Sequence, residues 1–336
     1  MDLWNYWEKC SRIFINEYRI SSLEYIPSRL PHRERQIGYL TEIFRPVVRN
    51  PGKISQKAVF IGRTGTGKTV TAKFFGKKLE KYLLNKGFSF KYIHINCHKD
   101  RSLYLVSQRI ASELKLKIPL RGYSYHEIFY LIFHTLSSNN MAILVTLDEI
   151  DYLKRNKEND SMYFLSRIND EFLDENASPI SFIFITRDPN FFEKMEESIK
   201  RCLIHNKIDF PPYTATEIID ILRERIVVEK AMRKKAVSNE ILEIIGDLTG
   251  YDKGGTGDAR LALEILWKAG IEAERSGKNF IEIEDVRKAF NNINPLKINI
   301  EKLDRHEKMI LKATVAALKS SKNRYVSTGE IIERYK

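Results

Sequence analysis

At 336 residues, with 43% hydrophobic and 30% charged positions, the chain can bury a sizeable core and divides into two or three domains, which excludes a disordered tail. A formal charge of +12 points to a polyanionic partner, nucleic acid first, although a soluble basic protein of no such function has the same composition. Cys10, Cys97 and Cys202 form no CxxC or Cys/His cluster, residues 1–8 do not read as a signal peptide, and the longest apolar stretch, Met141 to Leu147, is far short of the roughly 20 residues that span a bilayer. The expectation is therefore a reducing cytoplasm, with no zinc site and no membrane partner.

From about residue 57 to 210, short β-rich runs alternate with helical patterns, which predicts a parallel sheet with crossover helices on both faces. The strands are read at Lys57 to Ile61, Phe90 to Asn96, Ala142 to Leu147, Ser181 to Thr186 and Lys207 to Phe210. Pro211-Pro212 ends the sheet, because proline has no N–H for a central ladder. The periodicity then turns helical, at Ala215 to Lys230, Asn239 to Thr249, Asp258 to Arg275 and Ile283 to Asn292, which predicts an all-α second domain. After Pro295 a third unit opens, with helices at about His306 to Leu318 and Ser327 to Tyr335.

The first strand runs into Gly62-Arg63-Thr64-Gly65-Thr66-Gly67-Lys68-Thr69, a GxxxxGK[ST] pattern directly before a helix, and Gly62 to Val70 are expected to bind the nucleotide. Glycines let successive backbone N–H groups turn toward phosphate oxygens, and the helix presents its positive N-terminus to the same anion. Lys68 is expected to reach the β- and γ-phosphates of ATP, or the β-phosphate of ADP, with the Thr69 hydroxyl on Mg²⁺. About 80 residues on, the apolar strand ends in Asp148-Glu149-Ile150-Asp151. Alone, two acids after a strand are usually solvated loop residues. Behind a P-loop they read as a metal ligand, Asp148, and a general base, Glu149.

With Tyr25-Ile26-Pro27, Leu30-Pro31-His32-Arg33-Glu34, Phe210-Pro211-Pro212-Tyr213 and Gly257-Asp258-Ala259-Arg260 in this order around those two motifs, the chain resembles archaeal replication initiators of the AAA+ superfamily. These are relatives of the largest origin recognition complex subunit and of the cell-division-cycle helicase-loading factor. The resemblance covers roughly residues 20 to 336. It implies an α/β P-loop AAA+ parallel sheet domain, an all-α lid and a winged-helix domain. The expected division is a helical arm at 1–22, the nucleotide-binding domain at 23–212, the lid at 213–296 and the start of a truncated winged helix at 297–336, whose recognition helix and wing would follow Lys336. It also implies ATP-dependent binding of double-stranded origin DNA on the nucleoid and recruitment of the replicative helicase, with paralogous initiators as further partners. Ile26, Pro31, His32 and Arg33 are expected against adenine, Tyr213 and Arg225 over the nucleotide from the lid, and Arg260 as a second phosphate-sensing cation.

Two positions depart from the family pattern. Arg187 occupies the first-sensor position, where relatives carry asparagine, and Ser198, followed by Lys200 and Arg201, occupies the arginine-finger position. Since such a finger can contribute about 10³ to 10⁵ in rate, ATP binding is a firmer expectation than fast hydrolysis. A paralogue that keeps ADP or ATP as a structural cofactor, and an ATPase of another DNA transaction, are the competing readings. For DNA, Cys97 to Tyr104, with Lys99 and Arg101, resembles the initiator-specific helical insertion, and reads equally as a crossover helix with a solvated basic end. Lys319, Lys322 and Arg324 lie where a winged helix approaches phosphates.

Overall fold

The computed structural model describes residues 11–116, 122–156, 158–171, 179–191, 193, 195–293, 303–320 and 326–335. Five parallel strands form one sheet: β1 (Lys57–Ile61), β2 (Ser89–Asn96), β3 (Met141–Asp148), β4 (Ile180–Thr186) and β5 (Lys207–Asp209), in the order β2-β3-β4-β1-β5. Each lies within one residue at either end of its place in the sequence reading. Strands buried on both faces read as continuous apolar runs, and β3 and β4 do so because helices cover both sides. Below the sheet, α2 (Glu34–Arg49) and α3 (Lys68–Asn85) pack on Phe60, Leu144 and Ile183. Above it, α4 (Leu103–Glu113), α5 (Tyr125–Ser138), α6 (Glu158–Glu171) and α7 (Glu197–Leu203) cover Val59, Val145 and Phe182.

The register brings the chemistry to one edge. Ile61 pairs with Thr186 and with Asp209, and Asn96 with Asp148, so the loops after β1, β3 and β4 leave the sheet side by side. Ligand crevices in open α/β sheets lie at this carboxyl edge.

Beyond Pro211-Pro212, α8 (Ala215–Val227), α9 (Asn239–Thr249), α10 (Ala259–Arg275) and α11 (Ile283–Ile293) form a helical body with its own core. Thr214 and Glu217 close a capping box on α8, and Asp258 accepts from the N–H groups of Arg260 and Leu261 at the start of α10. In the third unit, α12 (Arg305–Ser320) packs on α13 (Thr328–Tyr335). No described helix is long and apolar enough to cross a membrane.

The described part of the N-terminal arm, which includes the single helical turn α1 (Tyr18–Ser21), belongs to the helical body. Ile13, Phe14 and Ile20 join that body's core. Phe14 bridges Met232 in antiparallel fashion, and the N–H groups of Ile15 and Asn16 donate to the Ala231 carbonyl. Glu229 ties the arm's exit: its carboxylate accepts from the Ser28 N–H and hydroxyl and from Tyr25 Oη. Burial is the largest single influence on Glu229 and raises its pKa, but these hydrogen bonds and Arg225 outweigh it, so the group titrates below its ordinary 4.5. A depressed carboxyl stabilises the fold fully above 4.5 and loses that contribution as pH falls through the lower folded-state value. Glu229→Gln should therefore raise amide exchange over residues 11–31 at neutral pH, and acid should do the same to the wild type, both read by hydrogen-exchange mass spectrometry. Unchanged protection in the variant would contradict the tie.

Candidate nucleotide site

Between the sheet edge and the helical body lies a cleft of about 440 Å³, within the range of small-molecule sites. Its floor is the loop after β1. Gly67, at φ 85°, is the N-cap of α3, so the helix begins at Lys68 with its N-terminus on the cleft. A Cβ on Gly67 would stand 2.6 Å from the Tyr213 hydroxyl, and one on Gly65 would overlap Asp258, so glycine at both places lets the helical body close onto the loop. The Ala259 N–H donates to the Gly65 carbonyl at 3.2 Å across that seam.

Lys68 is 6% exposed, and its ammonium donates to the Gly62 and Arg63 carbonyls at 2.7 and 2.6 Å. Burial pulls its pKa down to about 8, with Asp148 acting against the fall. A buried cation held by neutral carbonyls at a helix N-terminus is a place for an anion. Thr69 donates its hydroxyl to Asp148 Oδ2 at 2.7 Å, and His94 Nε2 lies 3.5 Å from the same oxygen. Burial raises the Asp148 pKa, but His94, Thr69 and Lys68 together hold the carboxyl below its ordinary value. No cluster of three or more His, Cys, Asp or Glu residues among the described positions could hold a metal. Thr69 and Asp148 fit instead a Mg²⁺ that takes most of its ligands from water and phosphate.

Glu149 sits at φ 57°, a conformation that is costly for a side-chain-bearing residue and recurs at functional sites. Its carboxylate forms a direct ion pair with Arg187. Arg187 is aimed there by Asp151, which accepts from the Thr186 hydroxyl at 2.6 Å and from the Arg187 N–H at 3.2 Å. Arg260 stands exposed on the cleft wall, near enough to Lys68 to oppose its charge.

Of the residues expected from sequence, Ile26, Pro31, Thr64 to Val70, Asp148, Glu149, Arg187, Tyr213, Arg225 and Arg260 line the cleft together. Gly62 instead abuts the Phe210 backbone, and Arg63 lies over the Tyr251 ring. His32 faces Asp220 at 3.0 Å. Arg33, expected against adenine, is 2% exposed beneath the loop. Its Nε and Nη2 donate to the Thr66 carbonyl at 3.1 and 2.9 Å, Nη2 also to Pro211 at 3.0 Å, and the guanidinium rests 3.8 Å from the Tyr213 ring centre. The physical reason is satisfaction: the buried Thr66 carbonyl needs donors, and a planar cation supplies them, reaches Pro211 as well, and stacks on a ring. Burial lowers the Arg33 pKa and raises that of Tyr213 to about 12.

Sequence reasoning missed the remainder of the wall, notably Ile221 and Glu224 on α8, and Leu263, Glu264 and Trp267 on α10. Helical periodicity from Arg225 and Arg260 points to them. Away from the cleft, Lys99 and Arg101 lie exposed in the turn between β2 and the Ser102 cap of α4. Arg101 is 5.9 Å from the Tyr152 ring centre. Lys200 pairs with Glu197 on α7, beside Ser198 and Arg201. Lys319 is exposed on α12, and Lys322 and Arg324 lie outside the described residues.

Family models match three consecutive stretches: an AAA domain at residues 56–195, a Cdc6 AAA+ ATPase-type lid domain at 219–291 and a CDC6 C-terminal winged helix domain at 298–336. The chain is 43% identical over 331 residues to the ORC1-type DNA replication protein 2 of Sulfurisphaera tokodaii, covering 97% of this chain and 79% of that one. Among solved structures it is similar to the Aeropyrum pernix ORC2 protein in its ADPNP-ADP complexes, with 26% identity, a TM-score of 0.80, and 96% of this chain and 83% of that one covered. It is also similar to the Aeropyrum pernix ORC1 protein in complex with DNA, with 32% identity, a TM-score of 0.74, and 97% and 82% covered.

Replacing Arg33 by alanine leaves the buried Thr66 carbonyl without its donors at roughly 1–3 kcal/mol and removes the packing of the guanidinium on Tyr213. Denaturant unfolding should show a loss of about 2–4 kcal/mol. A change within about 0.5 kcal/mol, the size of an ordinary surface substitution, would show that Arg33 is not the clamp described.

Proposed function

This chain belongs to the ORC1-type DNA replication protein family, and from that membership and the cleft we propose that it is an initiator that binds ATP with Mg²⁺, engages double-stranded origin DNA and supports helicase recruitment. The observation that carries the reading is the closure of the helical body on the P-loop, where Gly65 meets Asp258 and Ala259 in the same loop whose carbonyls hold the buried Lys68 ammonium. In this reading Lys68 leaves the loop carbonyls for the phosphates, and Thr69 and Asp148 hold the metal, which when bound neutralises charge on the phosphate oxygens. Arg260 adds a second cation from the lid, so that phosphate draws the two bodies together. Lys68→Ala should weaken ATP binding by roughly 100-fold, the loss of a charge-assisted contact, without unfolding the chain. Wild-type affinity in the folded variant would remove the P-loop from the account.

One observation favours the slow-turnover form of this reading, in which nucleotide acts mainly as a ligand that sets conformation. The Arg187 ion pair occupies the carboxylate of Glu149, which a general base needs free for water. Arg187→Asn should release Glu149 and raise ATP hydrolysis about tenfold, part of the roughly 10²- to 10⁴-fold that general base catalysis can supply. Glu149→Gln should abolish turnover and keep binding. An unchanged rate in Arg187→Asn would assign the slow step elsewhere.

For DNA, the charge of +12 has a measurable signature. Affinity for duplex should fall with salt at a log–log slope of about −0.9 per phosphate neutralised, and Lys99→Ala with Arg101→Ala should lower the magnitude of that slope. A slope near zero in the wild type would reject nucleic acid as the partner.

A further inference from the structure

Glu224 shares the cleft-facing side of α8 with Ile221 and Arg225, yet its Oε1 is buried with no hydrogen-bond partner. Two of the charged residues that line the cleft with it are engaged. Arg225 donates to the Arg19 carbonyl at 2.8 Å and lies over the Tyr25 ring, and Glu229 accepts from Tyr25 and Ser28. Buried polar atoms in native folds almost always have partners, because leaving one unmatched costs free energy. That oxygen is covered as it stands, and a carboxylate turns about its last torsion at little cost to meet a donor that enters the cleft.

The position of Glu224 says which donor. Tyr213 packs against Gly67, α8 starts two residues later at Ala215, and Glu224 is nine residues further on, about 14 Å along the helix. In the same way α10 leaves Gly65 at Ala259, and Trp267 stands about 12 Å along it. With phosphates on the P-loop, the part of a nucleotide that reaches this far end is the outer edge of the base, while the ribose hydroxyls fall midway. The outer edge of adenine carries an exocyclic amine, a donor. Guanine carries a carbonyl oxygen at the same place, a second acceptor facing the carboxylate.

We propose that Glu224 accepts the exocyclic amine of adenine and sets the cleft's preference for adenine nucleotides. This rests on the nucleotide reading above and goes beyond it in naming the residue that selects the base.

The test uses the full chain with Mg²⁺ and titrates ATP, dATP, GTP and purine riboside triphosphate, which lacks the amine, into wild type, Glu224→Gln and Glu224→Met, with thermal unfolding as a check on folding. The wild type should bind ATP about tenfold more tightly than the amine-free nucleotide, and more tightly than GTP. Glu224→Met should bring the first ratio near one by weakening ATP, whereas Glu224→Gln, whose amide oxygen still accepts, should keep most of it. A wild-type ratio near one, a ratio that survives in a folded Glu224→Met, or tighter binding of GTP would overturn the assignment. So would loss in Glu224→Met of an ATP preference over dATP, which would place the carboxylate at the ribose. Absence of all nucleotide binding by the wild type would defeat the nucleotide reading as well; binding without base selectivity would defeat this inference alone.

Discussion

The clamp made by Arg33 is the interaction on which the rest of the site depends. One buried guanidinium holds the Thr66 carbonyl in the P-loop, the Pro211 carbonyl where the sheet domain ends, and the face of Tyr213 where the helical body begins. Two segments far apart in sequence, the P-loop and residues 211–213, are thereby fixed to one planar group. The P-loop needs its N–H groups turned outward to meet phosphate, and donors bound to its inward carbonyls from behind stabilise that orientation. The same group sets how close Tyr213, and with it α8, stands to Gly67. The shape of the cleft follows from a contact that lies outside it.

Within the cleft the charges are arranged in pairs that a ligand would exchange. Lys68 rests on carbonyls, Asp148 accepts a hydrogen bond from the Thr69 hydroxyl and faces His94, and Glu149 is occupied by Arg187. Tyr92 Oη stands behind His94, 3.2 Å from Nδ1, and donates to Thr146 at 3.1 Å, so the orientation of Asp148 is supported from the sheet. Such outer partners fix ligand groups before the ligand arrives. The Glu149–Arg187 pair works the other way, since it stabilises the resting arrangement at the expense of the base. On the function proposed above, a prepared anion pocket beside a carboxylate occupied by Arg187 would hold nucleotide longer than it turns it over.

Much of this was legible in the sequence, for identifiable reasons. The sheet was readable because fully buried strands such as β3 and β4 are unbroken apolar runs, and the P-loop because its glycines answer to backbone geometry that no other residue meets as easily. The role of Arg33 was not legible: its place in the motif suggested a ligand contact, while its partners, Thr66 and Pro211, are backbone carbonyls that leave no trace in residue type. The ion pair between Glu149 and Arg187 was hidden similarly, because it depends on the register that sets the loops after β3 and β4 side by side. Only Arg187's departure from the family pattern hinted at it. The arm's union with the helical body rests on three buried apolar residues, one bridge and a few backbone and side-chain bonds, too short a pairing to read as a strand.

The most direct test of this account is hydrogen exchange with and without ADP and Mg²⁺, because the central claim is that arm, P-loop and helical body form one wall tied at Arg33. The account predicts that nucleotide protects residues 25–33, the loop and start of α3 at 62–72, and the first turns of α8 and α10 together, and leaves the far strand β2 unchanged. Protection confined to residues 62–72, with the arm and the helical body exchanging as before, would contradict it.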